Sequence, residues 1–270
     1  MNIQHSRSFL FVPGDRPQRY AKAVASGADA VIIDLEDAVA PAAKESARAA
    51  CRDFLAGGGR ACIRINSLET QWGQSDLALC MLEGVAGIVL PKAETAQQLA
   101  RLRDHTRPGV ALLPLIETAA GLAAAGTICA APGVQRLMFG SVDFCLDLGL
   151  DEDRDVLAPY RAMLVLAARS AGLPGPVDGV TLTIDDQAAL RLATGQARQA
   201  GFSGKLCIHP AQVAGVNAGF LPSAAQLDWA NAVLARAACS EGAFAFEGKM
   251  VDAPVLARAR QLLEQHNCWP

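Results

Sequence analysis

Ala30-Val31-Ile32-Ile33-Asp34-Leu35-Glu36-Asp37 sets four apolar residues directly against three carboxylates. A strand buried on both faces reads as a continuous apolar run rather than an alternation, and Val31-Ile32-Ile33 reads that way. Gly87-Ile88-Val89-Leu90-Pro91-Lys92 follows the same plan. Working outward from these two, further short apolar runs predict strands over Ser8–Val12, Ala61–Asn66, Ala111–Glu117, Arg136–Gly140, Val177–Thr183 and Lys205–His209, with the quoted pair covering Ala30–Leu35 and Gly87–Pro91. Longer stretches of helical period lie between them: Pro17–Ser26, Ala42–Leu55, Ala96–His105, Ala119–Ala130, Tyr160–Ala171 and Asp186–Ala200. Eight strands alternating with helices predict the α/β class and a (β/α)8 TIM barrel, whose usual size of about 250 residues suits this chain. An open doubly wound sheet would carry a glycine-rich phosphate turn after its first strand. Val12-Pro13-Gly14-Asp15-Arg16 is not one, and Gly57-Gly58-Gly59 reads as a flexible connection. Residues 1–222 are therefore assigned to the barrel. Residues 223–270 are read as a C-terminal helical extension or lid of the same domain, with helices at Ser223–Ala238 and Pro254–Gln265 around a loop at Glu241–Ala253.

The chain has 270 residues, 51% hydrophobic and 19% charged, with a net charge of −3. That balance supplies a core and gives no basic footprint for nucleic acid. No apolar run reaches the roughly 18 residues of a membrane span, and Met1 to Arg7 lacks the layout of a secretory signal. The expectation is a cytoplasmic protein with neither nucleic-acid nor membrane partners. The eight cysteines contain no C-x-x-C pair and read as small buried hydrophobes rather than a metal cluster.

Barrel enzymes place their chemistry at the C-terminal ends of strands, and here those ends collect ionisable groups. They run from Asp15, Arg16, Arg19 and Lys22 after the first strand, through Asp34, Glu36, Asp37, Arg64, Asn66, Lys92, Glu117 and Asp143, to Asp178 and His209. Glu117 and Asp143, near the ends of neighbouring strands, suit a hard divalent cation such as Mg²⁺; pairing with an arginine or helix capping competes evenly with that reading. Arg64 reads equally as a bidentate carboxylate receptor or as an internal salt bridge to Glu36 or Asp37. Arg16, Arg19 and Lys22 could meet phosphates, though exposed helix charges are more often only solvated. For His209 a structural role is favoured over a catalytic one.

Phe9-Leu10-Phe11-Val12-Pro13-Gly14, Asp34-Leu35-Glu36-Asp37-Ala38-Val39, Ile63-Arg64-Ile65-Asn66, Leu90-Pro91-Lys92, Ile116-Glu117-Thr118, Phe139-Gly140-Ser141-Val142-Asp143-Phe144, Ile208-His209-Pro210 and Gly248-Lys249-Met250-Val251-Asp252-Ala253-Pro254 occur in this order. Together they resemble the citrate lyase β-subunit-like family, which includes malyl-CoA and citramalyl-CoA lyases. The resemblance runs from Ser8 to about Ala259. It implies a homo-oligomeric barrel, trimeric or hexameric, that binds Mg²⁺ through Glu117 and Asp143. It assigns the substrate carboxylate to Arg64, the metal's water shell to Glu36 and Asp37, and the acyl-CoA phosphates to Arg16 and Lys22. Backbone N–H groups near Gly140 and Ser141 would add donors to the substrate. Asp252, on a C-terminal segment able to cover a neighbouring subunit's site, would be the acid/base.

The reaction so implied is cleavage of a 3-hydroxy-3-carboxyacyl-CoA thioester to acetyl-CoA and a 2-oxo acid through a thioester enolate. Ile208-His209-Pro210 looks more like the free-standing CoA lyases than the citrate lyase β subunits, while residues 177–185 match no one subfamily. The rivals are a β subunit acting on an acyl-carrier-bound citryl group, a malyl-CoA thioesterase, a class II aldolase and a metabolite-binding pseudoenzyme.

Overall fold

The structure, a computed structural model, describes residues 2–151, 154–240 and 242–267. The chain divides into two compact units, one ending at Phe220 and one beginning at Leu221.

The first unit is a closed parallel barrel of eight strands: β1 (Ser8–Pro13), β2 (Ala30–Asp34), β3 (Ala61–Arg64), β4 (Val85–Leu90), β5 (Ala111–Ile116), β6 (Met138–Phe139), β7 (Val177–Asp178) and β8 (Gly204–Cys207). β8 pairs back on β1 through Ser8↔Lys205 and Phe9↔Leu206, which closes the ring. Its helices are α1 (Tyr20–Val24), α2 (Lys44–Ala56), α3 (Gln71–Asp76), α4 (Ala96–Asp104), α5 (Ala119–Ala123), α6 (Ala125–Cys129), α7 (Ser141–Leu148), α8 (Arg154–Ser170), α9 (Gln187–Gln199) and α10 (Val213–Gly219). This is the (β/α)8 TIM barrel expected from the strand count. Strand alternation divides the apolar residues between two cores. Phe9, Ile32, Val89, Leu113, Met138 and Leu206 fill the interior, while residues such as Leu10, Ile33, Ile63 and Leu112 meet the helices outside. Among the described residues, no helix is long and apolar enough to cross a membrane.

The end of the barrel away from the strands' C-termini is closed around Arg136, which has no exposed surface. Its guanidinium donates to the carbonyls of Ile3 (3.3 Å), Ser6, Gly175 (3.0 Å from Nη2) and Pro176 (3.5 Å), and to Ser203 Oγ (2.9 Å). Buried polar groups persist only when hydrogen-bonded, and neutral oxygens meet that requirement here.

Several element boundaries differ from expectation. β7 stops at Asp178, and the next residue, Gly179, admits α7, since a Cβ there would lie 2.3 Å from Ser141 Oγ. The helix expected at 119–130 is interrupted at Ala124, giving α5 and α6. α8 begins before Tyr160 and runs through Pro159.

The second unit holds α11 (Ala224–Ala237) and α12 (Ala253–Asn267), joined by a hairpin of β9 (Phe244–Phe246) and β10 (Lys249–Val251). The segment read as a loop at 241–253 is corrected accordingly. The hairpin turns on Glu247 and Gly248, both at positive φ (47° and 73°), the backbone of a type I′ turn. Its own core gathers Ala230, Val233, Val251, Ala259 and Leu262.

Candidate active site at the barrel mouth

Glu117 follows β5 directly and is 2% exposed. Its Oε1 accepts the Lys92 N–H at 2.7 Å, and Lys92 holds φ at +47°, a conformation that is costly for a residue with a Cβ. A Cβ on Gly140 would stand 2.6 Å from both Cβ and Oε2 of Glu117. One oxygen of the carboxylate is thus anchored, and the other is accommodated only because position 140 is glycine. Asp143 sits in the first turn of α7. Burial lifts the Glu117 pKa to about 7; the Asp143 and Asp37 carboxylates add to this, while the Lys92 N–H and Arg64 oppose it.

Arg64 ends β3 and is 8% exposed. Nε and Nη2 donate to the two oxygens of Asp34 at 2.7 and 2.6 Å, the bidentate geometry that orients a guanidinium. Nη1 faces Glu36 at 3.1 Å and Asp37 at 3.4 Å. The Glu36 contact is an ion pair without hydrogen-bond alignment, because Glu36 Oε2 is buried with no hydrogen-bond partner. The Phe11 ring lies 4.8 Å from the guanidinium carbon. Burial works against the charge on Arg64, but hydrogen bonding and attraction from Asp34, then Glu36 and Asp37, hold its pKa above the ordinary value. The Glu36 pKa is raised as well, to about 8: burial raises it, Arg64 opposes, and Asp37 and Glu117 add to the rise. The loop carrying Glu36 is tied down by Lys44, whose buried Nζ donates to the carbonyls of Leu35 (2.8 Å) and Glu36 (2.7 Å). Burial lowers the Lys44 pKa.

Three carboxylates (Asp34, Glu36 and Asp37) therefore meet one guanidinium, Glu117 and Asp143 act on one another at the same mouth, and Glu36 and Glu117 are driven toward holding a proton. That is the electrostatic signature of a centre short of positive charge. A hard divalent ion with one or two protein carboxylates and several waters fits this donor set. No group of three or more His, Cys, Asp or Glu gathers for a metal among the described residues. A fully protein-made cage is thus not what the site offers.

The other expected residues divide. Ser141 is buried at the first position of α7, so its N–H has no acceptor within the helix. Gly140 requires a correction: its N–H donates to the Ile116 carbonyl at 2.9 Å, so its contribution is space for Glu117 rather than a free donor. Arg16 is exposed just beyond β1, 3.7 Å from Asp15, and Lys22 is exposed on α1. His209 accepts the Ala211 N–H on Nδ1 at 3.2 Å and caps the turn at Pro210. Asp178 is held in a buried cluster by Arg161 (2.9 Å) and Lys205 (3.1 Å), which tie α8 to β7 and β8. Asp252 belongs to the second unit, where its Oδ1 accepts the Val255 N–H at 3.4 Å and caps α12. Sequence reasoning had placed Asp34 at a strand end without giving it a role and had not identified Lys44. Strand alternation from Ile32 was the available signal for Asp34, since it sets both residues on the inner face.

Comparison with known proteins adds four findings. Residues 7–210 match the model of the HpcH/HpaI aldolase/citrate lyase family. A citrate lyase subunit beta-like protein of Mycobacterium tuberculosis is 39% identical over 264 residues, covering 95% of this chain and 94% of the relative. A (3S)-malyl-CoA thioesterase of Cereibacter sphaeroides is 35% identical over 267 residues, covering 95% and 93%. Among solved structures, CitE of M. tuberculosis in complex with magnesium, acetoacetate and coenzyme A superposes with a TM-score of 0.87 at 38% identity, covering 97% of this chain and 98% of that one.

Proposed function

The chain belongs to the HpcH/HpaI aldolase/citrate lyase family, and from that premise we propose that it is a Mg²⁺-dependent carbon–carbon lyase. Its substrate is a 3-hydroxy-3-carboxyacyl-CoA thioester of the malyl, citramalyl or citryl type, and its products are acetyl-CoA and a 2-oxo acid. The observation that carries this reading is the crowding of Asp34, Glu36 and Asp37 on Arg64 at the mouth where the buried Glu117 carboxylate is anchored on the Lys92 N–H. Glu117 and Asp143 would hold the ion, with Glu36 and Asp37 facing its water shell. When bound, Mg²⁺ supplies Lewis acidity toward the substrate's oxygens.

The remaining chemistry falls to the chain. The substrate hydroxyl gives its proton to the Asp252 carboxylate, the adjacent carbon–carbon bond breaks, and its electron pair passes to the thioester enolate as the 2-oxo acid forms. Nη1 of Arg64 takes the substrate carboxylate by exchanging one of its acidic neighbours, while Asp34 keeps the guanidinium in plane. The Ser141 N–H lies in the first turn of α7, where a helix favours negative charge. Asp252 delivers the proton to the enolate carbon, from the C-terminal segment of a neighbouring copy in a homotrimer or hexamer. Arg16 and Lys22 meet the CoA phosphates. The enzyme works in the cytoplasm.

The test incubates the purified chain and Mg²⁺ with malyl-, citramalyl- and citryl-CoA and identifies the products. Acetyl-CoA with a 2-oxo acid is expected. Free CoA with the intact hydroxy acid would instead make it a thioesterase, the reading favoured by the Cereibacter relative. Activity only on a carrier-bound citryl group would make it a citrate lyase β subunit, and no turnover at all would make it a metabolite-binding pseudoenzyme. Activity unaffected by chelator would reject the metal.

A further inference from the structure

The buried stripe of α2 is Lys44, Ala47, Cys51 and Leu55. Three of these are what an amphipathic helix puts against a barrel; a lysine at the top of the stripe is not. Taking an ammonium out of water is costly unless acceptors replace the water. Nζ of Lys44 donates to the carbonyls of Leu35 (2.8 Å) and Glu36 (2.7 Å) and stands 5.6 Å from the centroid of the Trp72 ring, a cation–π contact. Both hydrogen-bond partners are backbone, so the charge serves the path of the chain rather than another side chain.

That path is the loop carrying Glu36 and Asp37. Its amides are claimed separately: the Asp34 carboxylate accepts the N–H groups of Glu36 (2.9 Å) and Ala38 (3.2 Å), and Leu35 donates to the Arg64 carbonyl at 2.9 Å. Nη1 of Arg64 meets the loop through the side chains of Glu36 and Asp37. When Nη1 turns to a substrate carboxylate, those side chains lose a partner, but the backbone beneath them keeps each of these bonds.

We propose that Lys44 is a positioning residue for this mouth: by holding the Leu35 and Glu36 carbonyls it keeps Glu36 and Asp37 where they face the water shell of Mg²⁺, with or without their ion pairs to Arg64. This rests on the metal part of the lyase reading and adds to it a residue that acts through the backbone. Outer partners of this kind change metal affinity by about 10- to 100-fold. Two consequences of losing the ammonium have opposite signs. Removing a cation from the neighbourhood of carboxylates strengthens their attraction for Mg²⁺, whereas loosening the loop weakens it.

The test is calorimetric titration of the full chain with Mg²⁺ in its native and Lys44→Met forms. The dissociation constant is expected to rise about 10-fold or more. An unchanged constant overturns the proposal and reduces Lys44 to a stability element; a tighter one overturns it in favour of a distant charge. Amide hydrogen exchange of the metal-free chain reads the loop itself. Glu36 and Ala38 should exchange about 10-fold faster or more in Lys44→Met, while the amides of α9 keep their native rates. Equal protection at Glu36 and Ala38 overturns the proposal as well. Where Lys44→Met does not fold, Lys44→Gln, which removes the charge and keeps an amide donor, carries both measurements with the same expected directions. A native chain that binds no Mg²⁺ overturns the metal reading; faster exchange at Glu36 and Ala38 would still uphold Lys44 as the holder of the loop, and equal exchange would overturn that too.

Discussion

Two arginines are buried at opposite ends of the same barrel, and they are satisfied in opposite ways. Arg136 at the closed end is surrounded by backbone carbonyls and one hydroxyl. Arg64 at the open end is surrounded by three carboxylates. Neutral acceptors satisfy the donors of a guanidinium without neutralising it, and burial lowers the Arg136 pKa to about 9. Carboxylates in excess leave negative charge that a cation can collect, which is how a structural demand at one end becomes chemistry at the other. The difference lies in the partners rather than in the arginine.

The comparison breaks most severely at Glu117. Glu117→Gln keeps the shape and removes an oxygen charge, and turnover with Mg²⁺ should fall by about 100- to 1,000-fold, read as kcat with and without chelator. A fall of less than tenfold would detach the open end from catalysis. Arg136→Leu tests the closed end: the carbonyls of Ile3 and Ser6 lose their donor while those of Gly175 and Pro176 keep Ser203, and stability should drop by about 3–5 kcal/mol in urea titration, with kcat per folded molecule retained. The mirror experiment is Arg64→Lys, which keeps the charge but loses the fork that grips Asp34. It should cost about 2–3 kcal/mol in kcat/KM and about 1 kcal/mol or less in stability; the reverse partition would erase the contrast. Gly140→Ala pushes a methyl group against Glu117 and should lower kcat about tenfold with little change in urea midpoint.

The smallest effect belongs to a third ionic cluster. Burial raises the Asp178 pKa, but Lys205 and Arg161 outweigh it and hold the value below 3.8. A depressed carboxylate contributes stability that is complete above its unfolded pKa and lost as pH falls through the folded one. The native chain should therefore lose stability as pH falls below 3.8, and Asp178→Asn should flatten that limb in an acid titration followed by circular dichroism. An unchanged slope would show that the acid limb arises elsewhere.

The architecture was legible because runs such as Val31-Ile32-Ile33 and Ile88-Val89-Leu90, short and β-branched, recur eight times between stretches of helical period. The concentration of charge at their ends was legible for the same reason. What could not be read was the division of labour inside that charge. Asp34, Glu36 and Asp37 are alike as letters, yet Asp34 grips Arg64 with both oxygens while Asp37 stays largely exposed. Only the positions of Arg64 and Lys44 separate their roles. The hairpin was missed because its turn is Glu247-Gly248 rather than the Asn-Gly or Asp-Gly that announces a type I′ turn. Gly140 was picked out for its N–H; its missing Cβ, which admits Glu117, became visible only once β5 and β6 stood side by side.

The sealed base around Arg136 has a kinetic corollary. A vessel with one door must admit and discharge everything through it, and a small fragment lodged at the bottom cannot overtake a long cofactor lying across the threshold. Under the proposed lyase reading departure is sequential: the bulky product goes first and the small acid waits its turn, so added 2-oxo acid should compete with the incoming thioester for the same resting form of the protein.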